Sequence, residues 1–313
     1  MGIFLSKSVS FNPSTNIPSL EGKVILVRGG NSGLGKESVL ELSKHKPKEI
    51  WLAARQVDKA NESIEEIKNR GGDPARIKVV QLDLMSLESV AKAAESIRAQ
   101  TNRLDMLLLN AGIMSVPPGL TCEGYEIQFG TNHMGHALLT KLLLPMLLRT
   151  REQLASDVRV IVLSSYAHNF APTGGIVFDS LKSRAEEMGT VTRYGQSKLA
   201  NLLYGQELAR HYRELRVAAV HPGLVRTNLA NTMGSESLIK RFLWWLTSGF
   251  AGVDPATGAL NQLWAATADT VQSGVYYEPV GIANRESQYA KDSKLARELW
   301  DWTEQELSQY IVT

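Results

Sequence analysis

The sequence predicts an α/β protein that forms a single doubly wound domain, with a seven-stranded, mostly parallel sheet and helices on both faces. Short apolar runs alternate with amphipathic segments along nearly the whole chain, which is typical of parallel strands joined by crossover helices. A glycine-rich turn joins the first apolar run to the first amphipathic segment. The 313 residues are 43% hydrophobic and 21% charged, an ordinary globular composition. Length alone suggests about two domains, but the regular alternation favours one.

The order of the elements follows from the apolar runs and the segments between them. The predicted strands are Val24–Val27, Ile50–Ala54, Ile77–Leu82, Met106–Leu109, Val158–Ser164, Val217–His221 and Val275–Tyr277. The predicted helices lie near Leu34–Ser43, Asp58–Asn69, Leu87–Ala99, Tyr125–Leu148 and Tyr194–His211. We expect residues 1–21 to form an N-terminal extension and residues 22–313 to form the domain.

The first strand leads into the turn Gly29–Gly35, and a helical pattern begins directly after it. Glycines permit a tight turn and a close backbone approach, and the N-terminus of the following helix offers free N–H groups to a pyrophosphate. A glycine-rich stretch by itself could be only a turn. Between a strand and a helix, it predicts the phosphate site of a dinucleotide-binding, or Rossmann, unit.

The end of the second strand bears on the choice of cofactor. A site for NAD usually has an acidic residue there to hold the ribose 2′-hydroxyl, whereas Ala54 is followed by Arg55. A guanidinium is a natural partner for a 2′-phosphate, and Lys59 is a weaker second candidate. Arg55 could instead be a solvated loop charge. The missing acid together with the arginine predicts NADP(H).

Tyr194 and Lys198 are four residues apart on a predicted helix, so their side chains lie on one face, one turn apart. A phenol has an ordinary pKa of about 10, and a neighbouring ammonium lowers it by favouring the phenolate. The pair is therefore a candidate proton donor for a carbonyl that becomes an alcohol. An isolated pair of this kind is more often a packed tyrosine beside a solvated lysine, so the other motifs decide.

Taken together, these motifs resemble the short-chain dehydrogenase/reductase family, in particular its retinol-dehydrogenase-like branch and the fungal members that act on secondary metabolites. The resemblance extends from about Gly22 to about Tyr289. It implies a catalytic set composed of Asn132, Ser165, Tyr194 and Lys198. The cofactor-binding positions that it implies are Gly29, Asn31, Ser32, Gly33, Leu34, Gly35, Arg55, Asp83, Leu84, Asn110, Ala111, Gly112, Tyr194, Lys198, Pro222, Gly223, Val225 and Thr227.

The resemblance also implies a role for each catalytic residue. The Ser165 hydroxyl would hydrogen-bond the substrate oxygen, and Tyr194 would donate a proton to it while a nicotinamide supplies the hydride. Lys198 would lower the pKa of Tyr194 and bind the nicotinamide ribose. Asn132 would help to hold a water relay for protons. Placement and electrostatics are the protein's share of this chemistry.

The chain departs from the family pattern at Arg28, where the family normally has threonine before its first turn glycine. A long, charged arginine cannot copy the hydrogen bonds of that threonine. Arg28 could reach a phosphate or could distort the turn, and we favour distortion because the rest of the turn keeps the family's pattern. The interval from Ser165 to Tyr194 is longer than the usual one, which supports the retinol-dehydrogenase-like branch.

Charge and cysteine content exclude several other classes of protein. The net charge of +2 comes from dispersed residues, so nothing predicts nucleic-acid binding. Cys122 is the single cysteine, which excludes an intrachain disulfide and suits a reducing, cytoplasmic location. The six histidines lack convincing ligand spacing, so we expect no metal. No apolar run reaches the roughly 20 residues of a spanning helix, although Gly2 with Ser6 fits the short myristoylation pattern.

The segment near residues 224–252 is rich in aromatic and aliphatic residues and matches the family's mobile lid. It suggests a bulky, hydrophobic small-molecule substrate. The segment could also be a helix packed on the body of the fold, and Trp244 with Trp245 could touch a membrane or a partner. The nearly apolar run Leu138–Leu148 indicates a buried helix. Because the family often dimerises through this helix and the one bearing Tyr194, a homodimer is expected.

The function predicted from the sequence is an NADP(H)-dependent oxidoreductase that interconverts a ketone or aldehyde and an alcohol. The alternative keeps the fold without redox chemistry, as an isomerase, a cyclase or a binding protein of a pathway. Arg28 motivates that alternative, and the intact Ser165, Tyr194 and Lys198 oppose it. A purely scaffolding protein is a third reading, supported only if the aromatic residues near 244 are exposed.

Overall fold

The computed structural model describes residues 8–225 and 252–310. Within these residues the chain forms one sheet of eight strands in the order β3-β2-β1-β4-β5-β6-β7-β8. The strands are β1 Val24–Arg28, β2 Glu49–Ala54, β3 Ile77–Gln81, β4 Met106–Leu109, β5 Arg159–Leu163, β6 Arg216–Val220, β7 Val275–Glu278 and β8 Ile282–Ala283. The first seven run parallel and β8 is antiparallel to β7. The predicted doubly wound α/β fold is confirmed.

The predicted count of seven strands is wrong by one. The additional strand, β8, contains two residues and returns along β7 after a turn in which Gly281 has a φ of +70°. Two residues are too few to produce an alternating pattern, so this strand cannot be recognised from the sequence.

The central strand β1 explains why its sequence is apolar at consecutive positions. Its side chains alternate between the two faces of the sheet. Val24 and Leu26 enter the core beneath one layer of helices, while Ile25 and Val27 enter the core beneath the other. Both faces of a doubly wound sheet are covered, so neither set can be polar.

The helices cover both faces of the sheet. Their bounds are α1 Pro13–Asn16, α2 Gly33–Ser43, α3 Val57–Asn69, α4 Leu87–Gln100, α5 Ile127–Phe129, α6 Gly135–Leu154, α7 Thr190–His211, α8 Pro255–Thr267 and α9 Ser293–Glu306. Residues of α4, α6, α7 and α9 share one core, and residues of α2 and α8 share the other. Helices α1, α8 and α9 were not predicted.

The helix predicted over Tyr125–Leu148 is interrupted. Residues Gly130–Met134 form one wide turn of π-helix between α5 and α6. This turn contains Asn132, and single π-turns inside helices are frequent at functional sites. A π-turn inserts a residue without changing the apolar pattern enough to be noticed, which is why the sequence indicated one continuous helix.

Helix α9 packs on the face through which a homodimer was expected. Its Trp300 stacks on Tyr204 and His211 of α7, with ring centroids 5.3 and 4.5 Å apart. Its Glu304 pairs with Lys141 of α6. The apolar surfaces of α6 and α7 are therefore covered in part by the chain's own C-terminal helix.

Residues 8–21, part of the expected N-terminal extension, pack on the domain. The Val9 N–H donates to the Val280 carbonyl (2.8 Å), and the Leu20 N–H donates to the His45 carbonyl (2.8 Å). Ile17 and Leu20 are buried in the core shared with α2 and α8. This part of the extension is thus continuous with the fold.

Candidate active site

The glycine-rich turn leaves β1 at the carboxyl edge of the sheet. Gly29 has a φ of +82°, which disfavours any side chain, and its N–H donates to the Ala53 carbonyl (2.7 Å). A Cβ at Gly35 would lie 2.0 Å from the Gly29 carbonyl oxygen. The turn is therefore closed so tightly that only glycine fits at position 35.

Helix α2 begins at Gly33, directly after this turn. Ser32 precedes the helix, and within the described chain its side chain makes no capping hydrogen bond. Asn31 and Ser32 reach the surface, while Leu34 is buried against α8, where its carbonyl accepts from the Gln262 amide (3.2 Å). The first N–H groups of α2 thus have no side-chain cap from Ser32, and uncapped N–H groups at a helix N-terminus are groups that can bind phosphate.

Arg55, Asp83 and Leu84 follow β2 and β3 at the same edge. Arg55 is exposed, Asp83 is partly exposed and Leu84 is buried. The Asp83 carboxylate accepts from the Met85 N–H (3.0 Å), which holds the turn after β3. These predicted cofactor residues lie beside the glycine-rich turn because β3, β2 and β1 are neighbours in the sheet.

The predicted segment Asn110-Ala111-Gly112 follows β4 and packs against the turn. The Asn110 amide nitrogen lies 3.4 Å from the carbonyl oxygens of both Arg28 and Gly29. A Cβ at Gly29 would lie 2.9 Å from that of Ala111, and a Cβ at Gly112 would lie 2.9 Å from Asn132 Oδ1. Strands β1 and β4 adjoin where the strand order reverses, the position at which open α/β sheets bind ligands.

Asn132 is fully buried in the π-turn and held from three sides. Its Oδ1 accepts from the Ile113 N–H (2.8 Å), and its Nδ2 donates to the Ile113 carbonyl (2.9 Å) and to Ser197 Oγ (2.9 Å). The side chain therefore connects the segment after β4 with the helix that carries Tyr194 and Lys198. In this arrangement its amide supports the site rather than facing an open cavity.

Tyr194 and Lys198 lie together on α7, as the spacing predicts, with Lys198 Nζ 5.7 Å from the centre of the Tyr194 ring. Lys198 Nζ donates to the Leu163 carbonyl at the end of β5 (2.9 Å). Burial raises the pKa of Tyr194 to about 12, with the Ser165 side chain acting in the opposite direction. Burial lowers the pKa of Lys198 to about 7.

Burial sets the net upward shift of the Tyr194 pKa, and a lowering of that pKa by Lys198 stays a prediction. Desolvation penalises the charged form of each group, so the phenol holds its proton more firmly and the ammonium releases its proton more readily. An ammonium with a pKa of about 7 is only partly charged at neutral pH, which weakens its effect on the phenol. The sequence showed the pair but not its burial.

Ser165 follows β5 and begins a short 3₁₀ turn, Tyr166–Phe170. Its Oγ accepts from the Ala167 N–H (3.1 Å), and its hydroxyl proton can still be donated, on the side where Tyr194 lies. Its backbone carbonyl contacts His168 Nδ1 at 2.6 Å. The other ring nitrogen of His168, Nε2, accepts from the Ser287 N–H at 3.0 Å.

The two contacts of His168 fix its tautomer. A backbone N–H can only donate, so Nε2 is the acceptor and Nδ1 carries the proton that is donated to the Ser165 carbonyl. Burial lowers the pKa of His168, which keeps the ring neutral. His168 thereby ties the serine to the segment before α9. This role of His168 has no local pattern in the sequence, because Ser287 is far from it along the chain.

The segment His221–Val225 follows β6 at the same edge. The His221 N–H donates to the Tyr277 carbonyl (2.9 Å), and Pro222 leads into Gly223, whose φ is +86°. Val225 pairs with Val253 in an isolated bridge. Thr227 lies outside the described residues, as do Trp244, Trp245 and most of the expected lid.

A second buried contact was missed by the sequence analysis. Arg193, next to Tyr194, donates to the Glu126 carboxylate (2.9 Å) and to the carbonyls of Met188 and Val116 (3.2 Å each). The Arg193–Glu126 pair is almost completely buried. It fixes the start of the Tyr194 helix against α5. The pair cannot be recognised from the sequence, because Glu126 and Arg193 are far apart along the chain and form no local pattern.

Other kinds of site receive no support from the described residues. Residues 8–225 and 252–310 contain no group of three or more His, Cys, Asp or Glu residues placed to hold a metal ion. His133 is buried, contacts Thr303 (2.9 Å), and has a pKa lowered to about 3 by burial. No helix in the described ranges is long and apolar enough to cross a membrane. Gly2 and Ser6 of the myristoylation pattern lie outside those ranges.

Comparison with known proteins agrees with this arrangement. The model of the short chain dehydrogenase family matches residues 23–237. The chain is 38% identical over 308 residues to the short-chain dehydrogenase/reductase drtF of Aspergillus calidoustus, covering 93% of this chain and 95% of that protein. It is 35% identical over 301 residues to human retinol dehydrogenase 11, covering 95% and 89%.

Among solved structures, an uncharacterized protein from Mycobacterium Paratuberculosis is 32% identical, with a TM-score of 0.74 and coverage of 95% of this chain and 97% of that one. Its similarity extends over nearly the whole of both chains. The matched family model, the relatives and this structure agree on one assignment. The chain belongs to the short-chain dehydrogenase/reductase family of oxidoreductases, with relatives in its retinol-dehydrogenase-like branch.

Proposed function

We propose that the protein is an NADP(H)-dependent oxidoreductase that interconverts a ketone or aldehyde and an alcohol on a hydrophobic small molecule, in secondary metabolism. The observation that carries the proposal is the convergence of Ser165, Tyr194, Lys198 and Asn132 beside a turn suited to a dinucleotide. Ser165 follows β5, Tyr194 and Lys198 lie on α7, and Asn132 lies in the π-turn. Each is distant from the turn in the sequence, so their meeting at one edge depends on the fold.

The residues at this edge fit a dinucleotide. A Cβ at Gly35 would clash with the Gly29 carbonyl oxygen, so the turn is lined by backbone atoms. The start of α2 offers N–H groups. The buried Asn110 Oδ1 has no hydrogen-bond partner in the described chain, as expected for an acceptor that a ligand satisfies. Phosphates would be held by Gly29, Asn31, Ser32, Gly33, Leu34 and Gly35, and the 2′-phosphate by Arg55. The remaining contacts would come from Asp83, Leu84, Asn110, Ala111, Gly112, Lys198, Pro222, Gly223, Val225 and Thr227.

The chemistry follows from the protonation of the side chains. A bound nicotinamide supplies or accepts the hydride. Tyr194, with a pKa of about 12, is protonated at neutral pH and can donate its proton to a carbonyl oxygen. The hydroxyl proton of Ser165 can hydrogen-bond that same oxygen and stabilise the negative charge that develops on it. The protonated form of Tyr194 is the one that reduction of a carbonyl needs, because that direction consumes a proton.

Lys198 is suited to binding the ribose of the cofactor. Within the described residues, one of its three donor positions is taken by the Leu163 carbonyl, so the others remain for ribose hydroxyls. The Leu163 bond holds the side chain in place before a ligand arrives, which reduces the entropy lost on binding.

The surroundings of Ser165 support a hydrophobic substrate. Tyr166, Phe170 and Leu224 are large apolar residues with exposed fractions of 50%, 52% and 47%. Tyr166 and Phe170 pack edge to face at 6.1 Å, and Tyr166 lies 6.4 Å from the His221 ring. Exposed aromatic groups at a cleft provide apolar surface that a ligand can bury. The fungal relative motivates the proposed secondary-metabolite class.

The proposal is tested by turnover. The purified protein is incubated with NADPH and a panel of apolar ketones, aldehydes and quinones, and the loss of NADPH absorbance is followed. We expect consumption that depends on both the carbonyl compound and the protein. Cofactor binding without consumption of any compound would favour the non-redox alternative, an isomerase, a cyclase or a binding protein.

The cofactor preference is tested separately with Arg55→Ala. A charge-assisted hydrogen bond is worth about 1.5–3 kcal/mol, so NADPH binding should weaken by at least 10-fold while NADH binding changes little. The matched control is Lys68→Ala, an exposed residue in the last turn of the same helix that follows Arg55. Equal losses for the two cofactors would show that Arg55 does not bind the 2′-phosphate.

A further inference from the structure

Arg28 is a buried cation at the carboxyl end of β1. Its exposed fraction is 7%. Because strand side chains alternate, it extends on the same face as Leu26, toward the core under α4, α6 and α7. It is the last strand residue before the cofactor turn. A charged side chain in this position must be compensated, since burial of an unpaired charge is costly.

The described residues compensate Arg28 poorly. The one hydrogen bond that they provide is a long one, 3.5 Å from Nη1 to the Ala53 carbonyl. Its Nε is buried without a partner, and no carboxylate in the described chain pairs with it within 4.0 Å. A guanidinium has five N–H donors. Most of the hydrogen-bonding capacity of Arg28 is therefore unused.

Two neighbouring side chains also have unused polar atoms. Asn110, whose amide nitrogen contacts the Arg28 carbonyl, has a buried Oδ1 without a partner. His136, whose pKa is lowered by burial and by the positive charge of Arg28 among others, has a buried Nε2 without a partner. Unpartnered buried polar groups are uncommon in native proteins. Both atoms are acceptors, since His136 Nδ1 is the nitrogen that meets the Asn132 carbonyl, so an anion cannot satisfy them, and the unused donors that an anion can satisfy are those of Arg28.

Distortion of the turn does not explain Arg28. Gly29 keeps its bond to Ala53 at 2.7 Å, Gly35 keeps its close approach to Gly29, and α2 begins at Gly33. The turn that follows Arg28 therefore keeps the close backbone contacts of a phosphate-binding turn. The structure thus accommodates the arginine without loosening the turn, contrary to the expectation from the sequence.

The charges around Arg28 indicate which kind of ligand would satisfy its unused hydrogen-bond donors. Asp83 raises its pKa and Arg55 lowers it, so the two arginines are near enough to repel each other. Two guanidiniums at one edge are best accommodated by an anion that both contact. Arg55, exposed beyond β2, marks the position of the cofactor's 2′-phosphate in the proposed function.

We propose that Arg28 is a second ligand of the cofactor's 2′-phosphate, which it binds together with Arg55. This inference depends on the proposed NADP(H) function. Arg28 is already held in place and desolvated by the fold, so its contact with a phosphate costs little additional ordering and is less weakened by solvent than that of exposed Arg55. Arg28 would supply a preformed, buried contact to the phosphate, and Arg55 would supply a contact at the surface.

The test uses two nucleotides that differ only in the phosphate, 2′,5′-ADP and 5′-AMP, in calorimetric titrations of the full chain. Arg28→Thr should weaken binding of 2′,5′-ADP by about 10-fold or more and leave 5′-AMP within about 2-fold. Arg28→Met, which keeps the length of the side chain without its charge, should behave like Arg28→Thr. It serves as the measured variant if the threonine form does not fold. Combined with Arg55→Ala, either change should be non-additive, since both residues contact one phosphate.

Three results would overturn the inference. Unchanged or tighter binding of 2′,5′-ADP in both Arg28 variants would show that the arginine does not contact the phosphate. Equal losses for the two nucleotides would place Arg28 on the adenosine or the turn. A wild-type protein that does not prefer 2′,5′-ADP to 5′-AMP would contradict both this inference and the proposed NADP(H) function. Failure at Arg28 alone, with Arg55→Ala still selective, leaves the proposed function intact.

Discussion

Asp105 and Arg28 stand near opposite edges of the sheet, and both are charged and almost fully buried. Asp105 comes just before β4, at the amino-terminal edge, and its oxygens are saturated. They accept from the Val24 N–H (2.8 Å), from Arg103 Nε and Nη2 (2.7 and 2.9 Å) and from Ser156 Oγ (2.5 Å), with Lys23 Nζ 3.4 Å away. Arg28 has one long hydrogen bond to a carbonyl within the described chain.

The difference separates a structural edge from a functional one. A buried charge whose hydrogen bonds are all made within the protein stabilises the fold and binds nothing else. A buried charge with unused donors costs stability until a ligand arrives. Lys198 resembles Arg28 in this respect, since it is buried without a carboxylate partner in the described chain and its pKa falls to about 7. Natural proteins tolerate such costs at their functional sites.

The largest effect is expected from Tyr194→Phe. This change removes the proposed proton donor and leaves a ring of nearly the same shape, so turnover should fall by about 10² to 10⁴-fold while NADPH binding is nearly unchanged. The matched control is Tyr204→Phe, a buried tyrosine ten residues further along α7, which should keep its activity. Near-normal steady-state turnover of Tyr194→Phe would rule out its role.

At the opposite edge, Asp105→Asn should lower the free energy of unfolding by about 3 kcal/mol, because it leaves several donors directed at a neutral amide. Turnover below the melting temperature should be unaffected. The exposed residue Asp301 of α9 provides the control, Asp301→Asn, with a change within about 0.5 kcal/mol. Urea unfolding measures both. An equally small change at Asp105 would mean that this edge is not stabilised as described.

The difference in unfolding free energy between wild type and Asp105→Asn should depend on pH, because it depends on the pKa of Asp105. Burial by itself raises this pKa, but the hydrogen bonds from Arg103, Ser156 and the Val24 N–H, with the charge of Lys23, lower it below its ordinary value. A lowered pKa means that the stabilisation is present above the ordinary value of about 4 and is lost as the pH falls through the folded-state value. The gap between wild type and Asp105→Asn should therefore close in strong acid.

Lys198→Met should lower turnover and yet stabilise the protein at pH 7. The pKa of Lys198 falls from 10.5 to about 7, so at neutral pH folding favours loss of its proton. Removal of this penalty, less about 1 kcal/mol for the lost bond to Leu163, should raise the free energy of unfolding by an amount on the order of 2 kcal/mol. The Leu163 carbonyl keeps a second donor in Asn201 (3.2 Å).

The gain in unfolding free energy from Lys198→Met should decrease as the pH rises. Between pH 7 and about 10.5 the unfolded wild type binds more protons at Lys198 than the folded form does, so wild-type stability rises with pH relative to the variant. The gain should be largest at and below pH 7 and should be lost above 10.5, where the missing bond to Leu163 leaves the variant slightly less stable than wild type. Denaturant unfolding of both proteins at pH 7 and pH 10 measures it. A variant less stable than wild type at pH 7 would show that the buried lysine is not a cost.

The smallest effect is expected at His168, which acts on catalysis through Ser165. His168→Asn places an amide donor near the position of Nδ1 and should preserve the contact with the Ser165 carbonyl. His168→Gln instead resembles the Nε2 side, where Ser287 donates. We expect the glutamine variant to lose more of kcat, about 5 to 10-fold against about 2-fold, with KM for NADPH unchanged in both. The reverse order would contradict the assigned tautomer.

Much of the fold was predictable because it depends on repeated local patterns. The run Val24–Val27 is apolar at every position since both faces of β1 are buried. A strand of this kind can be recognised from its consecutive apolar residues. The π-turn at Asn132 and the strand β8 gave no signal, because one inserted residue and a two-residue strand leave the apolar pattern unchanged. The packing of α9 on α7 is a long-range contact that no local pattern encodes.

The candidate site was predictable only as far as its residue types. The spacing of Tyr194 and Lys198 indicated a shared helix face, and the structure has them together. The signs of their pKa shifts were not accessible, because they depend on burial among residues far away in the sequence. Arg28 was recognised as unusual from the sequence, but its unused donors became evident only with its neighbours in place.

The central claim, that the carboxyl edge of the sheet is a site for NADP(H), is tested most directly by titrating the wild-type protein with NADPH and with NADH in the absence of substrate. We expect NADPH to bind at least 10-fold more tightly than NADH, because a phosphate contacted by arginine adds about 1.5–3 kcal/mol. The preference should shrink as salt is raised. Equal affinities, or no binding of either cofactor, would contradict the account.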